Sequence, residues 1–178
     1  TSRLLAVKCV HAAWTTDLST ISPDDEAVGL LIGPKMKHAK QAFRFVLGVI
    51  NRSPVLKAAI ARDERGRMLV SKERITLKRP DGRLVRIEIA AASRGGDMAR
   101  GYTVIFAGME EACFFRSEDS AAVNDRAIYD AITGASRGVR QVVWIVSTPW
   151  IEGVGLMEEF IARESGVHEH ALVVARVP

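Results

Sequence analysis

Two glutamates stand side by side where an apolar run stops. In residues 103–109 (TVIFAGM) the side chains after the first threonine are apolar or absent, and Glu110 and Glu111 follow at once. Adjacent carboxylates at the mouth of a buried strand suit nucleoside triphosphate hydrolysis. One orders the shell of a Mg²⁺ ion while its neighbour accepts or orients a proton of the attacking water. Successive residues of an extended chain point to opposite sides, so the two tasks separate. A second apolar run, residues 141–147 (QVVWIVS), closes on Ser147, Thr148 and Pro149 and brings hydroxyls to a similar place. The alternative for the acid pair is a strand that simply ends in water, with Glu110 and Glu111 as its first exposed residues.

Such tips need a sheet to hold them. Residues 3–14 set Leu4, Leu5, Val7, Cys9, Val10, Ala13 and Trp14 in a broad helical stripe, and residues 27–32 (AVGLLI) form a buried strand stopped by Gly33-Pro34. Residues 36–50 are an amphipathic helix, apolar at Met36, Ala39, Phe43, Val46 and Ile50, with Lys35, Lys37, Lys40 and Arg44 mostly on the other face. Residues 62–72 read as a charged connection. The segments RITLKR and LVRIEIA alternate apolar with polar around Pro80-Asp81-Gly82, which predicts a partly exposed antiparallel hairpin. SRGGDMARG reads as a glycine-rich loop into a strand over 102–109. A helix over 121–132, a buried strand over 141–147, a helix over 156–163 and a strand over 171–177 complete the pattern. Helices alternating with continuous apolar strands predict a mostly parallel sheet covered on both faces, whose ligands bind at the carboxyl ends of the strands.

The totals agree with one ordinary domain: 178 residues, 48% apolar, net charge +4. That charge permits contact with a polyanion without demanding one. Cys9 and Cys113 lie far apart, so neither a disulfide framework nor a cysteine metal site is expected. No run is long enough to span a membrane, and the expectation is a soluble cytoplasmic protein. His168 and His170 alternate with Glu169 between them, but with no third partner nearby they read as solvated. The basic helix face and the arginine-rich hairpin (Arg74, Lys78, Arg79, Arg83, Arg86) are either solvated or follow DNA, the hairpin being the better contact for DNA or a neighbouring subunit. Trp14, Trp144 and Trp150 read as packing residues.

The order RGYTVIF, MEEACFF and VSTPWIEGVG, after a strand and helix in LLIGPKMKHAKQAF, resembles the ATPase domain of tailed-phage large terminase subunits, motors that pump viral DNA into capsids. The resemblance runs from the first helix to the last strand. It implies a P-loop NTPase-like three-layer sandwich with ATP and Mg²⁺ as cofactors. It makes Glu110 the Walker B acid, Glu111 the catalytic glutamate, and Ser147 and Thr148 the coupling residues that sense the γ-phosphate. Arg100 becomes a trans-acting arginine, with Arg137 and Arg140 as weaker candidates. The implied partners are double-stranded DNA, the terminase small subunit, the portal protein and further copies in a ring, with no membrane. The implied setting is a bacterial host cytoplasm.

Two departures stand out. Such domains usually carry Asp where this chain has the longer Glu110, and no G-x-x-x-x-G-K-[ST] phosphate loop occurs in the sequence. The expectation is therefore a single partial ATPase domain over residues 1–178. It would start just after that loop, with Thr1 as the hydroxyl on Mg²⁺, and end before an RNase H-like nuclease domain. The alternatives are a non-catalytic remnant that binds DNA or partner subunits, and a superfamily 2 helicase fragment.

Overall fold

The computed structural model describes residues 2–115, 125–148 and 156–164. The expectations for Thr1, Pro149, Trp150, His168, His170 and the strand over 171–177 lie outside them.

Apolar runs without polar interruption make strands buried on both faces. β1 (Ala27–Gly33) and β4 (Thr103–Glu110) are buried at every position, so each must lie inside the sheet. They pair in parallel, Ala27 opposite Thr103 and Ile32 opposite Met109. β3 (Leu84–Ala91) pairs in parallel with the other side of β1, and β2 (Arg74–Lys78) folds back antiparallel on β3. β5 (Val142–Val146) runs parallel to β4, which gives the order β2-β3-β1-β4-β5. The hairpin alternates as its sequence predicts, with Ile75, Leu77, Val85 and Ile87 buried.

One core lies on each face. α1 (Ser2–Thr15) and α2 (Met36–Arg52) pack Leu5, Cys9, Phe43 and Val46 against Leu31, Ile87 and Phe106. On the other face, α4 (Asp125–Gly134), α5 (Leu156–Glu164) and a 3₁₀ helix (Ala92–Ala99) place Ile128, Leu156 and Met98 against Leu30, Val104 and Met109. The result is the predicted three-layer α/β sandwich. The β1–β4 register slips between Val28 and Gly29, and the extra residue lets Ile105 and Phe106 both join the α1–α2 core. α1 lies so close to β1 that a Cβ on Gly29 would stand 2.9 Å from Cys9 Sγ.

Several expectations change. The glycine-rich stretch before β4 is mostly helical, because Ala92, Met98 and Ala99 have a core to enter. The charged connection continues the sheet edge through antiparallel bridges Arg62–Met68 and Val70–Ile75. A short helix, α3 (Pro54–Ala58), has no counterpart among the expected elements; Ser53 caps it by accepting from Leu56 N at 3.4 Å. The helix expected from 121 runs over Asp125–Gly134, residues 121–124 being outside the described set. β5 is half-buried rather than buried, and Val142 is 40% exposed, since β5 is the last strand of the sheet among the described residues.

In the arginine-rich hairpin Arg74 and Lys78 are exposed, but the other three cations are engaged within the fold. Arg83 donates to three carbonyls of the α1–β1 loop, Leu18 (2.8 Å), Ile21 (2.6 Å) and Ser22 (2.8 Å), and Arg79 donates to Thr16 O at 2.6 Å. Arg86 pairs with Glu26 (2.7 Å) and Glu88 (3.2 Å) and lies on the Tyr102 ring. These three side chains hold the fold together and are not free for DNA.

Candidate active site at the carboxyl ends of β4 and β5

Glu110 is the last paired residue of β4, opposite Val146, and is 8% exposed. The Ser2 hydroxyl, in the first turn of α1, donates to its Oε1. Its Oε2 is buried without a hydrogen-bond partner among the described residues. A carboxylate buried with one oxygen unsatisfied is costly unless a cation compensates it.

Glu111 leaves the sheet in the left-handed region, φ 56° and ψ 45°. For a residue with a Cβ this costs roughly 1–2 kcal/mol, and the surroundings hold it there. Its N–H donates to Val146 O at 2.7 Å, and its carbonyl accepts from Phe114 N at 2.9 Å, starting the 3₁₀ turn Ala112–Phe114. The twist turns the Glu111 side chain out of the ladder, half-exposed, while Glu110 stays inside. Glu111 Oε2 then accepts from Thr148 N at 3.3 Å.

Ser147 completes the stitching of the two strand tips. Its hydroxyl accepts from Cys113 N at 3.1 Å and donates to Thr148 O at 3.1 Å. Behind it, α5 is fixed to α4: Asp125 accepts from Leu156 N at 2.8 Å, and Arg126 reaches Glu159 at 2.7 Å. Glu110, Glu111, Ser147 and Thr148 therefore meet at one rim, as the sequence predicts.

Ser2 is not among the residues that the sequence singles out. The expected hydroxyl is that of Thr1, and the only signal for Ser2 is a second hydroxyl directly ahead of the helical stripe. A single carboxylate with a free oxygen beside a hydroxyl fits a hard cation that keeps most of its waters. No group of three or more His, Cys, Asp or Glu residues that could cage a metal occurs among the described residues.

Arg100 is elsewhere. It precedes β4, while Glu111 follows it, and the eight intervening strand residues span about 26 Å at roughly 3.3 Å each. Its side chain is 84% exposed and pairs with Asp97 at 3.2 Å. Arg137 (paired with Asp25 at 3.4 Å) and the exposed Arg140 precede β5, toward the same far rim.

A mostly parallel sheet flanked by helices, with acids and hydroxyls gathered at the carboxyl ends of β4 and β5, defines a three-layer α/β sandwich. More particularly, this is the fold of phage large-terminase ATPase domains. The Thermus phage P74-26 large terminase ATPase domain superposes with a TM-score of 0.58 at 18% identity, over 95% of this chain and 64% of that one. The HK97 bacteriophage large terminase gives 0.60 at 17%, over 90% and 29%. The large terminase of another thermophilic bacteriophage gives 0.50 at 10%, over 79% and 30%. The chain thus spans a little under two thirds of the Thermus phage domain. No protein-family model and no curated protein matches the sequence.

Proposed function

We propose that residues 1–178 are the greater part of the ATPase domain of a phage large terminase, which couples ATP hydrolysis to translocation of double-stranded DNA into a capsid. Its partners are the portal protein, the small subunit and further copies in a ring. Glu111 is the base that takes a proton from the attacking water. Glu110 holds the shell of Mg²⁺ together with a hydroxyl of the first turn of α1, from Thr1 or Ser2. Bound Mg²⁺ supplies charge neutralisation of the phosphates. Ser147 and Thr148 are the coupling residues, because any movement of the β5 tip pulls on Glu111 through Thr148 N.

The observation that carries this reading is the buried Oε2 of Glu110, without a partner among the described residues, next to a strained, outward-turned Glu111. Arg100 acts on the site of a neighbouring copy, a role that its position on the opposite rim supports. The experiment is ATP turnover by a chain that also carries a phosphate-binding loop. Glu111→Gln should reduce kcat by about 100-fold or more, and an unchanged rate removes Glu111 as the base. Mixing Arg100→Ala with Glu111→Gln subunits should restore part of the turnover, and no recovery argues against action in trans.

A second reading is a non-catalytic remnant that binds DNA or partner subunits. These 178 residues contain no G-x-x-x-x-G-K-[ST]. Absence of turnover with an intact upstream sequence would select it.

A further inference from the structure

The rim that holds Glu110 has a second buried polar atom without a partner among the described residues: Nδ1 of His38, in the first turn of α2. Its place follows from the strands beneath it. Gly33 and Glu110 each come one residue after the paired Ile32 and Met109, so these two strand tips are neighbours at about 4.8 Å. Alternation turns both positions to the α1–α2 face. A Cβ on Gly33 would stand 2.8 Å from Ala39 N and 3.1 Å from His38 Cβ, while Glu110 meets Ser2 of α1. The Cβ atoms of His38 and Glu110 are therefore within about 8 Å of each other. The flank of α2 that carries His38 also carries Phe45, two turns on. The Arg3 guanidinium of α1 lies 5.3 Å from the Phe45 ring centre, whereas Lys40, on the opposite flank, pairs at 3.1 Å with Glu73 ahead of β2. His38 thus stands on the side of α2 that faces the start of α1, where Ser2 and Glu110 meet.

We propose that His38 is a positioning residue of the Mg²⁺ site, its Nδ1 accepting a hydrogen bond from a water of the ion's shell that Glu110 also holds. This rests on the reading of Glu110 given above and adds a residue from a further element to it. Mg²⁺ gives up its waters reluctantly, so it is held largely through acceptors one shell away. A neutral imidazole with its proton on Nε2 is such an acceptor at Nδ1. An apolar side chain in the same place would leave no polar atom unsatisfied, so packing alone gives no reason for a histidine. Gly33 is the condition for this arrangement, because any side chain there would push the start of α2 off the strand tip.

The test is a titration of the 178-residue chain with Mn²⁺, a paramagnetic substitute for Mg²⁺, followed by NMR. Saturable broadening is expected at the Glu110 and Glu111 amides and at the His38 ring. The ring of His11 should broaden far less, since it lies about 14 Å along α1 from Ser2 at 1.5 Å per residue. His38→Leu, which fills the space without an acceptor, should weaken Mn²⁺ binding by about 10-fold or more, the usual cost of removing an outer-shell partner. His38→Gln, which restores an acceptor, should recover much of that loss. A His38 ring as sharp as that of His11 while the Glu110 and Glu111 amides broaden would overturn the proposal and leave the Glu110 site in place, and so would unchanged Mn²⁺ binding by His38→Leu. No broadening at Glu110 or Glu111 would overturn both.

Discussion

The Ser2 hydroxyl donates to Glu110 Oε1 and so joins the first turn of α1 to the last residue of β4, across 108 positions of sequence. Among the described residues this contact satisfies one Glu110 oxygen and leaves the other without a partner. Ser2→Ala should lower stability by about 1–3 kcal/mol, because a buried carboxylate loses the partner that offset its desolvation. Urea unfolding checks it. Ser2→Thr, which keeps the hydroxyl, should recover most of the loss.

Arg83 is a clamp. Its three bonds to the carbonyls of Leu18, Ile21 and Ser22 tie the α1–β1 loop to the hairpin turn. Arg83→Ala should cost about 2–3 kcal/mol, as expected when hydrogen bonds to a charged, partly buried donor are lost. Faster amide exchange over residues 17–25 should accompany it. Arg83→Lys should not rescue, since one ammonium cannot reproduce the planar fork.

Gly29 and Cys9 form a size-matched pair, with an added Cβ 2.9 Å from the sulfur. Gly29→Ala should destabilise by about 1–3 kcal/mol through overpacking. Combined with Cys9→Ala, the cost should fall short of the sum of the two by at least about 0.5 kcal/mol, which a double-mutant cycle measures. Burial also pushes the Cys9 thiol far up, so it should resist thiol reagents until the chain unfolds.

Asp63 organises the turn beneath the Arg62–Met68 bridge. The Arg67 amide, then the Arg67 guanidinium and the Arg65 amide, hold its carboxyl below the ordinary value of 3.8. A depressed folded value means that the carboxylate's contribution is complete above the unfolded value and is lost as pH falls through the folded one. Protection of the Arg65 and Arg67 amides, followed by NMR, should therefore persist to below pH 3.8 and then fall. Asp63→Asn should flatten that dependence.

Much of this was legible from residue order. The helices at 3–14 and 36–50 and the strands at 27–32 and 102–109 are written in the spacing of apolar residues, because each segment's burial depends on its own periodicity. The acid pair was legible for the same reason, since a run that stays apolar and then stops marks the end of a buried strand, but that Glu110 stays buried while only Glu111 turns out was not. The 3₁₀ helix was not, since Gly95 and Gly96 signal a turn and only the core beneath Met98 and Ala99 makes the segment coil. Nor was the use of Arg79, Arg83 and Arg86. An arginine reads the same whether it faces a phosphate or a carbonyl from a loop some sixty residues away.

By itself, then, the sequence determined the main helices and strands and that two strand tips carry acids and hydroxyls. Tertiary structure decided that those tips adjoin, because β5 pairs with β4 in a register that sets Glu110 opposite Val146. It also decided that Ser2, rather than a residue near in sequence, meets Glu110, and that Arg100 stands on the opposite rim from Glu111. The physical reason is range. Periodicity records how each segment meets water, whereas strand order and register are set by packing between segments distant in the chain, and that information lies in no single stretch of it.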